Sequence, residues 1–250
     1  LLYLPDLHGQ SLKPTECAER FGFVVDTLLQ GRNDGGVEPR NGELHAGRPE
    51  KGADYTKDCT STRHVKLGGM RELILGGARS GKSQLAETRA AASGLHVIYV
   101  ATAQAFDGEM TRRIAHHRAR RPPDWGLIET PLDLAATLRR HAATDVCLLV
   151  DCLTLWLSNL LFAGEAARQA EAGKAVVCPR LTGEIQDLLD TLPQLPGHIV
   201  LVSNEVGWGV VPMAAVSRLF ADEQGRLNQR VAAVSEQVTL VAAGLPLRLK

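Results

Sequence analysis

Gly76-Gly77-Ala78-Arg79-Ser80-Gly81-Lys82-Ser83 fits the spacing G-x-x-x-x-G-K-[ST], which suits a nucleoside triphosphate. Glycines let a loop backbone turn its N–H groups inward around phosphate oxygens, and the N-terminus of a following helix adds positive partial charge. Lys82 would reach the outer phosphates, and the Ser83 hydroxyl would bind Mg2+. Other glycine-rich connections can fit the pattern, so its context matters. Asp151, at the end of the apolar run Val146 to Val150, is placed to hold the Mg2+ shell; it would equally serve as the N-cap of a helix from Thr154 onward, and the two roles can coexist. Glu205, in Asn204-Glu205-Val206-Gly207, is a candidate base or metal-shell acid, or a turn carboxylate facing water. His116 and His117 stand among Arg112, Arg113, Arg118, Arg120 and Arg121. A neutral imidazole is a competent nucleophile at phosphorus, and arginines would depress its pKa and bind oxyanions. On a charged helix, however, a His pair commonly does no more than face water.

The elements around these residues are consistent with a built site. Glu72 to Leu75 reads as a short buried strand, and Gln84 to Ala92 is rich in residues that cost little in a helix, so the glycine loop lies between strand and helix. His96 to Ala101, Val146 to Asp151, His198 to Ser203 and Val238 to Val241 are continuous apolar runs, the signature of strands covered on both faces. Ile185, Leu188, Leu189 and Leu192 keep helical spacing, and Leu153 to Phe162, Leu227 to Val238 and the polar stretch Asp107 to Arg121 also read as helices. Gly164 to Pro179 is open between helix and loop, and the face carrying Arg226, Asn228, Gln229 and Arg230 is read as solvated or as a contact for nucleotide or a second subunit. The alternation predicts an α/β P-loop NTPase of RecA-like, doubly wound type, with a mostly parallel sheet and helices on both faces.

The 250 residues divide unevenly. Residues 1–69 carry scattered glycines and charges with one compact apolar run, Phe21 to Leu29, and predict a disordered leader or N-terminal extension. Residues 70–250 predict the folded domain, and Met70, directly after Gly68-Gly69, is a candidate start. Lys plus Arg and Asp plus Glu are both 28, which gives no general reason to expect nucleic acid or an anionic membrane as partner. No apolar run reaches the roughly 18 residues needed to span a bilayer, and no basic-then-apolar signal opens the chain, so a cytoplasmic protein is expected. Five cysteines with no C-x-x-C pair indicate neither a disulfide framework nor zinc.

Six segments in order carry a resemblance: the glycine loop, Tyr99-Val100-Ala101-Thr102-Ala103-Gln104, Arg113-Ile114-Ala115-His116-His117-Arg118, Val150-Asp151-Cys152-Leu153-Thr154, Ser203-Asn204-Glu205-Val206-Gly207 and Gly225-Arg226-Leu227-Asn228-Gln229-Arg230. Together they resemble the bifunctional adenosylcobinamide kinase and adenosylcobinamide-phosphate guanylyltransferase family, from Met70 to the C-terminus. The resemblance implies phosphorylation of adenosylcobinamide by ATP or GTP, then GMP transfer from GTP to the adenosylcobinamide phosphate, with His116 carrying GMP and His117 as the fallback. It further implies that GTP is held by Gly76 to Ser83, by Ala103, Gln104 and Ala105, by Arg120, Arg121, Pro122 and Pro123, by Glu129 and by Asp151, in a homotrimer with sites near subunit boundaries. A RecA-like or small-molecule kinase without guanylyl transfer is the competing expectation. A GTP-binding switch is less well matched, since no guanine-reading N-K-x-D pattern is present.

Overall fold

The computed structural model describes residues 69–104 and 122–250, together with the backbone of a two-residue antiparallel ladder between β1 (Leu4–Pro5) and β2 (Ser11–Leu12). The reading of residues 1–69 as a leader falls, but for that ladder and Gly69, outside the described residues, as does the whole of the predicted polar helix Asp107 to Arg121.

Seven strands form the main sheet: β3 (Met70–Gly76), β4 (His96–Ala101), β5 (Gly126–Glu129), β6 (Val146–Asp151), β7 (His198–Asn204), β8 (Gln237–Ala242) and β9 (Leu245–Arg248). Their order is β5-β4-β6-β7-β3-β8-β9. Every pair is parallel except β8 with β9, so the carboxyl ends of six strands share one edge. The strand bearing Asp151 is separated from the glycine-loop strand by β7, the order of a RecA-like P-loop fold. β3, β6 and β7 are buried almost from end to end because both sheet faces are covered, which is why they read as unbroken apolar runs.

Helices α1 (Lys82–Ala92), α2 (Leu134–His141), α3 (Leu153–Ala163), α4 (Ala166–Glu171), α5 (Pro179–Thr191) and α6 (Ala215–Val234) complete the layers. On one face Leu73, Leu148, Val150 and Leu201 pack with Leu138, Trp156, Leu160, Leu188 and Leu227 from α2, α3, α5 and α6. On the other, Ile74, Tyr99, Leu149, Val200 and Val202 pack with Ala86 and Ala90 of α1. The sheet edges are short, four residues each in β5 and β9, which limits pairing with foreign strands.

Two expectations need correction. The segment Leu227 to Val238 is not one helix: α6 starts twelve residues earlier, at Ala215, and ends at Val234, and Ser235 turns the chain into β8. The face of α6 read as solvated is divided, since Asn228 is buried while Arg226 and Arg230 stay exposed, paired with Glu223 and Gln186. The open stretch Gly164 to Pro179 resolves into the short α4, an irregular passage and the Pro-initiated start of α5.

Candidate active site

The carboxyl edge gathers the site from the ends of six strands. β3 runs into the glycine loop, whose two pattern glycines have separate causes. A Cβ on Gly76 would lie 2.4 Å from Ser80 Oγ and 2.6 Å from the Val241 carbonyl oxygen, whereas Gly81 has φ +95°, the left-handed region that L side chains avoid. Gly77 would meet nothing within 4 Å. Four backbone bonds hold the loop: Ser80 N–H donates to Gly77 O (3.3 Å), Glu205 N–H to Gly76 O (3.2 Å), Gly244 N–H to Ser80 O (2.9 Å) and Leu85 N–H to Gly81 O (3.0 Å). Ala78 and Arg79 project into solvent, and Arg79 itself has φ 56°.

Lys82 opens α1, and its Nζ donates back across the loop to Gly77 O at 3.0 Å. Burial holds its ammonium below the ordinary lysine range, while Cys152 and Asp151 beside it act in the other direction. The Cys152 thiol is buried and pushed up to about 11, chiefly by desolvation and then by Asp151, so little of it is thiolate near neutral pH. Asp151 ends β6 half-buried, with its Oδ2 accepting the Tyr99 hydroxyl at 2.9 Å. Thr102, fully buried beyond β4, fixes the following turn: Cys152 N–H donates to Thr102 Oγ1 (3.0 Å), which donates to Cys152 O (2.7 Å). The N-cap alternative for Asp151 is not what the structure has, since α3 starts at Leu153 behind Cys152 and no side chain caps it.

Further along the edge, Ala103 and Gln104 follow β4 half-buried, Glu129 ends β5 in an exposed position, and Pro122 and Pro123 precede β5 in solvent. Glu129 is four strands from β3, about 19 Å at normal strand spacing, so it is remote from the loop that Lys82 serves. His116, His117, Ala105, Arg120 and Arg121 lie outside the described residues.

Two of the buried polar atoms without a hydrogen-bond partner lie at the same edge, while others, on Arg71, Glu72 and His198, lie at the opposite ends of β3 and β7. Ser80 Oγ and Asn204 Oδ1 are buried without a hydrogen-bond partner, a costly state that a ligand's polar groups would relieve. Ser83 and Asp151 offer a hydroxyl and a carboxylate. Among the described residues no three His, Cys, Asp or Glu side chains cluster as a metal cage. That donor set fits Mg2+, which binds through one or two protein oxygens and fills its shell with phosphate and water.

Sequence reasoning missed the polar network behind β7. Ser203 Oγ donates to Asn228 Oδ1 (2.7 Å), Gln224 Nε2 donates to both (3.0 Å each), and Asn228 Nδ2 donates to Asn204 O (3.0 Å) and Glu205 Oε1 (3.1 Å). Its only sequence signal is that Ser217, Gln224 and Asn228 occupy the helical spacing of the buried face of α6.

Comparison with known proteins decides the family. The profile described as "Cobinamide kinase / cobinamide phosphate guanyltransferase" matches residues 72–249. The chain belongs to this family. It is therefore an enzyme, with the kinase and guanylyltransferase activities of the cobinamide kinase / cobinamide phosphate guanyltransferase family. The bifunctional adenosylcobalamin biosynthesis protein CobP of Pseudomonas aeruginosa is 58% identical over 181 residues, covering 72% of this chain and 98% of that protein. The corresponding protein CobU of Salmonella typhimurium is 39% identical over 182 residues, covering 72% of this chain and 100% of its own length. Among solved structures, the assembled ATPase EscN of an enteropathogenic E. coli type III secretion system aligns with a TM-score of 0.47 at 15% identity, over 71% of this chain and 43% of that one. So distant a likeness adds nothing to the strand order. No described helix of the family member is long and apolar enough to cross a membrane.

Proposed function

We propose that the enzyme phosphorylates adenosylcobinamide with ATP or GTP and then transfers GMP from GTP to adenosylcobinamide phosphate through a guanylyl-histidine on His116, giving adenosylcobinamide-GDP in adenosylcobalamin biosynthesis. The observation that carries the reading is the cradle of Gly76 to Ser83 at the carboxyl edge, with Lys82 folded across it and Asp151 beside it. Lys82 binds the outer phosphates in exchange for its contact with Gly77 O, and the loop N–H groups bind the oxygens between them. Ser83 and Asp151 would hold Mg2+, which supplies charge neutralisation at the phosphates when bound. Ala103, Gln104, Ala105, Arg120, Arg121, Pro122, Pro123 and Glu129 are proposed to serve the nucleoside end of GTP, Glu129 in particular being too far from the loop for phosphate contact.

Using His116 as nucleophile divides the transfer into two displacements at the α-phosphorus: a neutral imidazole displaces pyrophosphate, and the acceptor phosphate then displaces the imidazole, which leaves as a neutral group once protonated. We take the working unit to be a cytoplasmic homotrimer, which light-scattering mass would check. The deciding experiment incubates the protein with Mg2+ and GTP labelled in the α-phosphate. An acid-labile, base-stable protein label that is absent in His116→Ala supports the guanylyl-histidine route. Folded protein that binds GTP and takes no label, yet phosphorylates its acceptor, leaves a kinase without this intermediate.

A further inference from the structure

The kinase half of the reaction needs a group to take the proton of the acceptor hydroxyl, and among the described residues three carboxylates end or directly follow strands at the working edge: Glu129, Asp151 and Glu205. Glu129 is on the far edge strand, four positions from β3. Asp151 has Oδ2 engaged by the Tyr99 hydroxyl and adjoins Lys82, the arrangement expected of a metal-shell carboxylate. Glu205 is different. It is one residue beyond β7, the strand directly beside β3, and its N–H bonds to the carbonyl of Gly76, the first residue of the glycine loop.

Its side chain is aimed from behind. Asn228 Oδ1 accepts from both Ser203 and Gln224, so the Asn228 amide is oriented with Nδ2 outward, toward Asn204 O and Glu205 Oε1. Ser203 and Gln224 are 0% exposed and Asn228 is 4% exposed. Three polar side chains at such depth are expensive where apolar residues would pack α6 on the sheet as well; Gln224 Oε1 is left without a partner, but four hydrogen bonds fix the Asn228 amide in one orientation. The only functional group in solvent reach that it terminates on is the Glu205 carboxylate, whose Oε2 has no partner among the described residues.

We propose that Glu205 is the general base of the kinase step and that Asn228, backed by Ser203 and Gln224, is its positioning residue. This role rests on the function proposed above. In the step, the acceptor hydroxyl gives its proton to Glu205 Oε2 while its oxygen bonds to the γ-phosphorus. The bond from the γ-phosphorus to the bridging oxygen breaks, and the nucleoside diphosphate leaves with that electron pair. Glu205 then returns the proton to water. Guanylyl transfer has no such need, because its acceptor is a phosphate that is already anionic.

The test measures both half-reactions separately in the full chain, with adenosylcobinamide and with pre-formed adenosylcobinamide phosphate as acceptors. In Glu205→Gln, which keeps size and the bond from Asn228, the kinase kcat is expected to fall by about 10²–10⁴-fold, the usual contribution of a general base, with the acceptor KM and guanylyl transfer unchanged. Asn228→Ala is expected to lower kinase kcat by a smaller factor, again sparing guanylyl transfer. Retention of kinase kcat in Glu205→Gln would overturn the role, as would an equal fall of both half-reactions, which would make Glu205 structural. If wild-type protein performs neither half-reaction, the functional reading itself fails and this role goes with it.

Discussion

Gly76 and Gly77 stand side by side in the glycine loop, yet only one is held to glycine by space. A methyl group on Gly76 would collide with the Val241 carbonyl at 2.6 Å, a backbone atom of β8 that cannot retreat without moving a strand, and with Ser80 Oγ at 2.4 Å. Gly77 faces open space and has no left-handed φ. Gly76→Ala is therefore expected to weaken nucleotide binding by at least about tenfold, or about 1.4 kcal/mol, and Gly77→Ala, which strains nothing in the nucleotide-free loop, by less. Titration with a fluorescent nucleotide checks both, and equal affinities for the two variants would mean that β8 yields after all. The third loop glycine, Gly81, answers to dihedral strain instead, so the three glycines that look alike in the sequence have three different roles in the fold.

The β8–β9 hairpin shows how an element with no catalytic residue sets the site. Its two-residue turn, Ala243-Gly244, has φ 51° and 81°, the double left-handed geometry of a tight hairpin, and its tip donates Gly244 N–H to Ser80 O. Gly244→Ala meets no neighbour, so its cost is backbone strain alone, about 1–2 kcal/mol, to be read from urea unfolding. A neutral result would show that the turn relaxes. β9 could not be read from the sequence because Leu245 to Arg248 is exposed throughout and has no buried face to create a pattern. By contrast, β4 and β6 were legible to the residue, since double-faced burial makes an unbroken apolar run. The start of α6 was illegible for the opposite reason: its buried face includes Ser217, Gln224 and Asn228, which break hydrophobic periodicity while keeping its spacing. The candidate site divides along the same line. The glycine loop, Asp151 and Glu205 announce themselves as local motifs, whereas the bonds that aim them, from Thr102, Tyr99 and Asn228, join residues from 23 to 52 positions apart.

At the scale of the molecule, the described helices are shared unequally between the two sheet faces, and the site depends on the face that α1 covers. Residues of five described helices, α2 to α6, join the core on one face, while α1, through the small side chains Ala86 and Ala90, carries most of the described helix packing on the other, with Leu155 of α3 beside it. α1 is also the helix that Lys82 opens, so its seat on the sheet sets where that ammonium lies. Beneath it, Glu72 of β3 is 1% exposed and meets Arg89 Nη1 at 3.1 Å, with His198 Nε2 at 3.8 Å. A buried carboxylate that loses its partner becomes an uncompensated charge, and for a fully buried pair the loss is about 3–5 kcal/mol. Arg89 is 38% exposed and its contact with Glu72 falls short of hydrogen-bond geometry, so Arg89→Ala is expected below that range, at about 1–2 kcal/mol, measured as a shift in the urea midpoint at constant slope. Adding Glu72→Gln removes the orphaned charge and is expected to restore much of that stability. The single variant should also weaken nucleotide binding, because the pair joins the strand before the glycine loop to the helix after it. If Arg89→Ala loosened nucleotide binding without loss of stability, the ion pair would be aligning the cradle rather than holding the layers together; loss of stability with binding intact would mean that the glycine loop keeps its shape through Gly244, Glu205 and its own bonds alone.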